Sequence, residues 1–188
     1  MRLRREFSGL THGFDSPQNH FQLFGIPASY QLDNAQLELA FRALQAQVHP
    51  DKSAHLSDIE QRIAMQRSTL VNEAYQTLRS PIRRARYILA LQGVDTQEET
   101  NTVMPLEFLM AQLEWREAVA DAQQARDAEA LGRLEARMKD ETDELEAMLA
   151  VKIDGEHDYA VAAGLVRKLR FMEKLAEEID SAYDAIDL

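Results

Sequence analysis

Four consecutive residues, His49, Pro50, Asp51 and Lys52, concentrate most of the chemistry that this 188-residue sequence offers in one place. An imidazole donates or accepts a hydrogen bond, and a carboxylate grips an arginine through charge-assisted bonds. An ammonium answers an acidic surface, and a proline presets the backbone between them. His55 and Asp58 follow closely, so His49, Asp51, His55 and Asp58 together also suggest a metal site. Zinc and iron ligands sit on rigid elements at set spacings, and no H-E-x-x-H or similar pattern is present. A metal-dependent enzyme is therefore the weaker reading, and neither a metal nor another cofactor is expected. The plain alternative is a polar loop in which Pro50 ends a helix and Asp51 begins a turn.

The elements around this segment read as helices. Asp33 and Gln36 have capping-box spacing, and Leu37, Phe41, Leu44 and Val48 follow on one face. Pro50 pushes its predecessor out of the α region and carries no N–H, so that helix stops at Val48 or His49. Ser57 with Glu60 forms a second capping box, after which Ile63, Leu70, Val71, Ala74 and Leu78 mark an inward face through Arg79. Two antiparallel helices joined by the 49–52 loop follow. A short helix over Asn19 to Phe24, stopped at Gly25, precedes them. Another, opened by Ser80-Pro81, runs through Ile82, Ala85, Ile88 and Leu89 and is closed by Gly93.

Residues 95–102 are polar and lack hydrophobic spacing, which places the domain boundary there. Pro105 then opens a helix with Leu106, Leu109, Met110 and Leu113. A long helix beyond Asp127 turns Leu131, Leu134, Met138, Leu145 and Leu149 inward and breaks near Asp154-Gly155. In the last helix Ala162, Leu165, Leu169, Met172, Ala176, Ile179, Tyr183 and Ile186 alternate steps of three and four, a coiled-coil-like seam. Strand signals are almost absent, so the predicted fold is all-α: a helical hairpin with short flanking helices, then a three-helix bundle. The expected limits are a flexible leader over 1–18, a first domain over 19–94, a linker over 95–104 and a second domain over 105–188.

Charge divides unevenly along the chain. Residues 1–95 hold 11 Lys and Arg against 9 Asp and Glu, and residues 96–188 hold 10 against 23, within a net charge of −11. So acidic a second half repels phosphate backbones, which argues against nucleic acid; a solvated helix surface explains it without any partner. With no cysteine the chain has neither disulfides nor thiolate ligands for a cluster. No stretch approaches the roughly 18 apolar residues of a membrane span, and Met1 to Gly9 lacks the apolar region of a secretion signal, so a soluble, non-secreted, cytoplasmic protein with no membrane role is expected.

His49-Pro50-Asp51-Lys52, preceded by Phe41-Arg42-Ala43-Leu44 and followed by Asn72-Glu73-Ala74-Tyr75-Gln76-Thr77-Leu78, resembles a J-domain over residues 19–92. Phe21 through Pro27, Leu78-Arg79-Ser80-Pro81, Phe108 through Glu114 and Val166 through Phe171 are most similar to the HscB type, the bacterial co-chaperone of iron–sulfur cluster assembly. The resemblance implies a non-enzymatic protein. His49, Pro50, Asp51, Lys52 and Arg42 would dock on a DnaK- or HscA-type chaperone and accelerate its ATP hydrolysis. Gln36, Gln45 and Gln47 stand at outward positions where many J-domains carry Lys or Arg, which implies a specialised chaperone.

In the second half, Leu106, Leu109, Met110 and Leu113 cover more circumference than one seam needs, and Trp115 points elsewhere again. Phe171 and Leu175 lie off the last helix's seam, so an exposed apolar strip shared with Met110 and Leu113 is expected. The residues alone leave open whether these side chains bind a partner or complete a core. The resemblance assigns Leu109, Met110, Leu113, Glu114, Glu117 and Phe171 to the surface that binds an IscU-type scaffold. A general J-domain co-chaperone for unfolded clients is the alternative within the family, although no Gly/Phe-rich linker or Cys-rich repeat follows Gly93; a non-enzymatic helical adaptor is the alternative outside it. A monomer or weak self-association is expected.

Overall fold

A computed structural model of the chain describes residues 19–48, 57–96 and 105–187. Local signals set the helix ends. Asn19 accepts the Gln22 N–H (2.9 Å) and starts α1, His20–Phe24. Gly25, at φ 64°, ends it while Ile26 and Gly25 donate back to the Phe21 and Gln22 carbonyls. This is the Schellman arrangement, and its left-handed residue costs glycine least. Helix α2 spans Asn34–Val48, and the Asp33 carboxylate accepts the Ala35 and Gln36 N–H groups ahead of it. Helix α3, Asp58–Arg79, opens with the complete Ser57/Glu60 capping box. Ser80 leads into α4, Pro81–Leu91, which Gly93 closes at φ 74° with the same pair of back-donated bonds.

One compact unit ends at Ile88 and a second begins at Leu89, so the division falls inside α4. In the first unit Glu38, early in α2, meets Tyr75, late in α3, as antiparallel pairing requires. Its core is Phe21, Leu23, Phe24, Tyr30, Leu37, Leu44, Val71, Ala74 and Leu78, with Ile82, Ala85 and Ile88 from α4. Ile63, expected to face inward, is instead exposed with Ile59 and Met65. The 22-residue α3 outruns the 15-residue α2, and its first turns carry these side chains.

The second unit is the expected three-helix bundle: α5 (Leu106–Gln124), α6 (Ala128–Ala150) and α7 (Tyr159–Asp187), each packed on the other two. Phe108 meets Phe171 and Arg116 meets Glu178, so α5 and α7 run the same way. Gly132, early in α6, lies beside the hydroxyl of Tyr183, late in α7, so α6 runs against them. Pro105 occupies the cap position of α5 instead of its first helical turn. A tight turn joins α5 to α6, with Arg126 at φ 53° and Asp127 capping the Ala130 N–H. The break expected near Asp154-Gly155 is a π-turn, Val151–Gly155. Arg167 of α7 donates to the Thr96 carbonyl (2.9 Å) and ties the segment after α4 to its own unit. Among the described residues there is no strand, and no helix is long and apolar enough to cross a membrane.

Candidate partner-docking sites

His49, Pro50, Asp51 and Lys52 lie outside the described residues, as do His12 and His55. The structure does describe both anchors of that segment. Val48, buried, ends α2, and the capping box of Ser57 and Glu60 starts α3.

Arg42, one to two turns before the loop, is exposed and pairs with Glu38 four residues earlier (2.8 Å). The other Glu38 oxygen accepts the Tyr75 hydroxyl from α3. The Tyr75 ring stacks on Phe41, with centroids 4.0 Å apart, and Arg79 lies over it at 5.9 Å. The Tyr75 hydroxyl and then Arg42 hold the Glu38 carboxyl below the usual carboxylate range. In return Glu38, chiefly through that hydrogen bond, raises the Tyr75 phenol above its ordinary value. The i,i+4 spacing of Glu38 and Arg42 was readable along the chain. Tyr75, 37 residues away, was not.

Helix α5 presents two apolar faces. At 100° per residue Leu106, Leu109, Met110 and Leu113 share one arc, while Trp115, Val119 and Ala122 share the opposite one. The second arc is the buried one, with Trp115 only 2% exposed and Arg137 seated 4.3 Å from its ring. The first arc faces out: Leu109 is 43%, Met110 51% and Leu113 52% exposed, and Leu106 more so. Glu114 and Glu117 are exposed beside them. Four large apolar side chains in a row with carboxylates alongside make a surface that gains free energy by being covered and rejects anionic partners.

Phe171 and Leu175 correct the expected strip. Both are buried, Phe171 at 6% exposure, because α7 packs against α5 and α6 together and one seam cannot serve two neighbours. Phe171 meets Phe108 edge-on (5.7 Å) with Arg116 over its ring, and Lys168 lies over Phe108. It supports α5 from behind and is not part of the exposed strip.

The two described histidines, His20 and His157, differ from each other. His157 is exposed. His20 is half-buried, stacked on Tyr87 with centroids 4.2 Å apart, and burial lowers its imidazole pKa although Glu73 pulls the other way. Among the described residues no group of three His, Asp or Glu is placed to hold a metal; of the four residues of the metal reading only Asp58 is described.

These features define an all-helical protein of two units, the first built on a helical hairpin and the second a three-helix bundle with an exposed apolar strip on α5. A family model described as the HSCB C-terminal oligomerisation domain matches residues 104–180. A co-chaperone protein HscB homolog of Aromatoleum aromaticum is 48% identical over 92% of this chain and 98% of its own. One of Chromobacterium violaceum is 50% identical over 94% and 99%. Among solved structures, the chaperone HscB from Vibrio cholerae superposes with a TM-score of 0.82 at 37% identity, over 88% of this chain and 98% of that one. Human co-chaperone HscB gives a TM-score of 0.83 at 29% identity, over 88% and 83%. The chain belongs to the HscB co-chaperone family. With membership comes the broad role of a co-chaperone in iron–sulfur cluster assembly.

Proposed function

We propose that the protein couples a scaffold carrying a nascent iron–sulfur cluster to an ATPase chaperone of the HscA or DnaK type, and that it does so without catalysing a reaction itself. The observation that carries this reading is the outward strip of Leu109, Met110 and Leu113 rimmed by Glu114 and Glu117, on a helix whose opposite face already supplies the core. An apolar centre with a charged rim suits a reversible contact with an IscU-type scaffold. Phe171 serves that surface indirectly by backing Phe108.

The chaperone is engaged by His49, Pro50, Asp51 and Lys52 with Arg42 beside them, and hydrolysis is accelerated there through hydrogen bonds from the loop to the partner. Residues 19–94 hold this coupling role and residues 105–188 the scaffold role. The protein acts in the bacterial cytoplasm as a monomer or a weakly self-associating chain, with no resident cofactor.

Single-turnover ATP hydrolysis by the chaperone tests the reading, with this chain and with His49→Gln, each with and without scaffold. The expected result is stimulation that His49→Gln abolishes and that scaffold increases. Stimulation indifferent to His49 would overturn the coupling role.

A further inference from the structure

Seven methionines hold all the sulfur of this chain, which has no cysteine. Of those among the described residues, Met172 is buried at 3% exposure and Met138 half-buried, whereas Met65, Met110 and Met148 are 69%, 51% and 48% exposed. A thioether is apolar and polarizable, and two-electron oxidants attack it when they can reach it. Met65 and Met148 stand on α3 and α6, outside the proposed docking sites. Met110 stands in the α5 strip, beside three leucines that such oxidants leave alone.

The surroundings of Met110 decide what oxidation does there. At helical spacing its nearest neighbours are Leu106 and Glu107 one turn back and Leu113 and Glu114 one turn on, all exposed. Leucine has no polar hydrogen and an ionised carboxylate only accepts, so none of the four offers a donor to a sulfoxide oxygen. In water that oxygen is solvated. Under a covering partner it loses the water, gains nothing from this helix, and faces two carboxylates of the same sign as its own partial charge.

Resting on the proposed scaffold role of the strip, we propose that Met110 is a reversible modification site: peroxide converts it to the sulfoxide, and the α5 surface then releases its scaffold. The sulfur lone pair attacks one oxygen of hydrogen peroxide, an S–O bond forms and the O–O bond breaks. The departing hydroxide takes the proton of the transferred oxygen and leaves as water, so sulfur is oxidised by two electrons and peroxide reduced by two. Methionine sulfoxide reductases reverse the change with two electrons from a pair of thiols, which end as a disulfide while the oxygen leaves as water. Met110 is exposed and fills no core, so the strip is altered while the fold is retained.

The experiment treats the full chain with hydrogen peroxide and removes the excess with catalase before any partner is added. Peptide mass spectrometry locates the added oxygen, and calorimetry gives the affinity for cluster-free scaffold. Oxidation at Met110 should weaken binding about tenfold or more with an unchanged thermal midpoint, and the two reductases together should restore it. Met110→Leu, read against its own untreated affinity, should lose less than about twofold.

Equal losses in the native chain and in Met110→Leu would place the damage at another residue and overturn the inference. So would a sulfoxide at Met110 with unchanged affinity, or a Met172 that oxidises before Met110 does. Leu109→Ala on untreated protein runs alongside: binding that needs Leu109 but ignores the sulfoxide sinks this inference alone, whereas binding that is absent, or indifferent to Leu109, sinks the scaffold role of the strip beneath it.

Discussion

Helices α2 and α5 both carry an apolar stripe on the side away from their core, but the two stripes are built to different scales. On α5 it consists of Leu106, Leu109, Met110 and Leu113, flanked by carboxylates that have exposed faces of their own. On α2 it is Leu39 among alanines, and the one cation is already paired. Affinity differences between related contacts reside mostly in the dissociation rate, and the apolar area covered is a large part of what holds a partner. A partner covering the α5 strip would thus be held longer than one covering the α2 stripe.

The support behind each stripe offers the strongest way to test the contrast. Trp115 fills the centre of the second unit, so Trp115→Ala should cost about 3–5 kcal/mol of that unit's stability in urea unfolding and deprive the α5 strip of its backing. A loss below about 1 kcal/mol would mean that the buried face of α5 is not what fixes the exposed one. Next in size, Leu109→Ala combined with Met110→Ala should weaken scaffold binding about 10- to 100-fold in calorimetry while the thermal midpoint stays put. A fall in the midpoint instead would mark these side chains as core and erase the difference between the helices.

The smallest effect concerns pH. Burial against Tyr87 lowers the His20 imidazole pKa, so the unfolded chain binds its proton more readily than the folded one. Stability of the first unit should thus fall as pH drops through the ordinary histidine value near 6.5, and be regained above it. His20→Gln should flatten that slope in chemical unfolding followed across this range; an unchanged slope would assign it to other groups.

Start and stop signals were the most legible part of the sequence because each acts within a few residues. Ser57 with Glu60, Asn19, Gly25 and Gly93 act where their types and spacing place them. Periodicity located the longer helices among the described residues but could not say which side faces in when both are apolar. In α5, Leu106, Leu109, Met110 and Leu113 make as good a helical stripe as Trp115, Val119 and Ala122, and only the neighbouring helices decide. For the same reason the regular seam of α7 missed Phe171 and Leu175, which face a second neighbour. Polar ties between distant residues, Tyr75 to Glu38 and Arg167 to Thr96, leave no trace in local pattern. Around the proposed chaperone contact, motif residues were readable one by one, whereas the offsetting of Arg42 by a tyrosine-held carboxylate was a property of the folded hairpin.

The exposed strip on α5 also bears on how the protein keeps itself dispersed. A chain that displays four large apolar side chains in a row is a candidate for precipitation, and the net charge of −11, concentrated in the same half, supplies the repulsion between copies. The acidic surface thereby sets a colloidal limit on how sticky the exposed strip can be. Acidification, which protonates the carboxylates and leaves the leucines unchanged, removes that protection first.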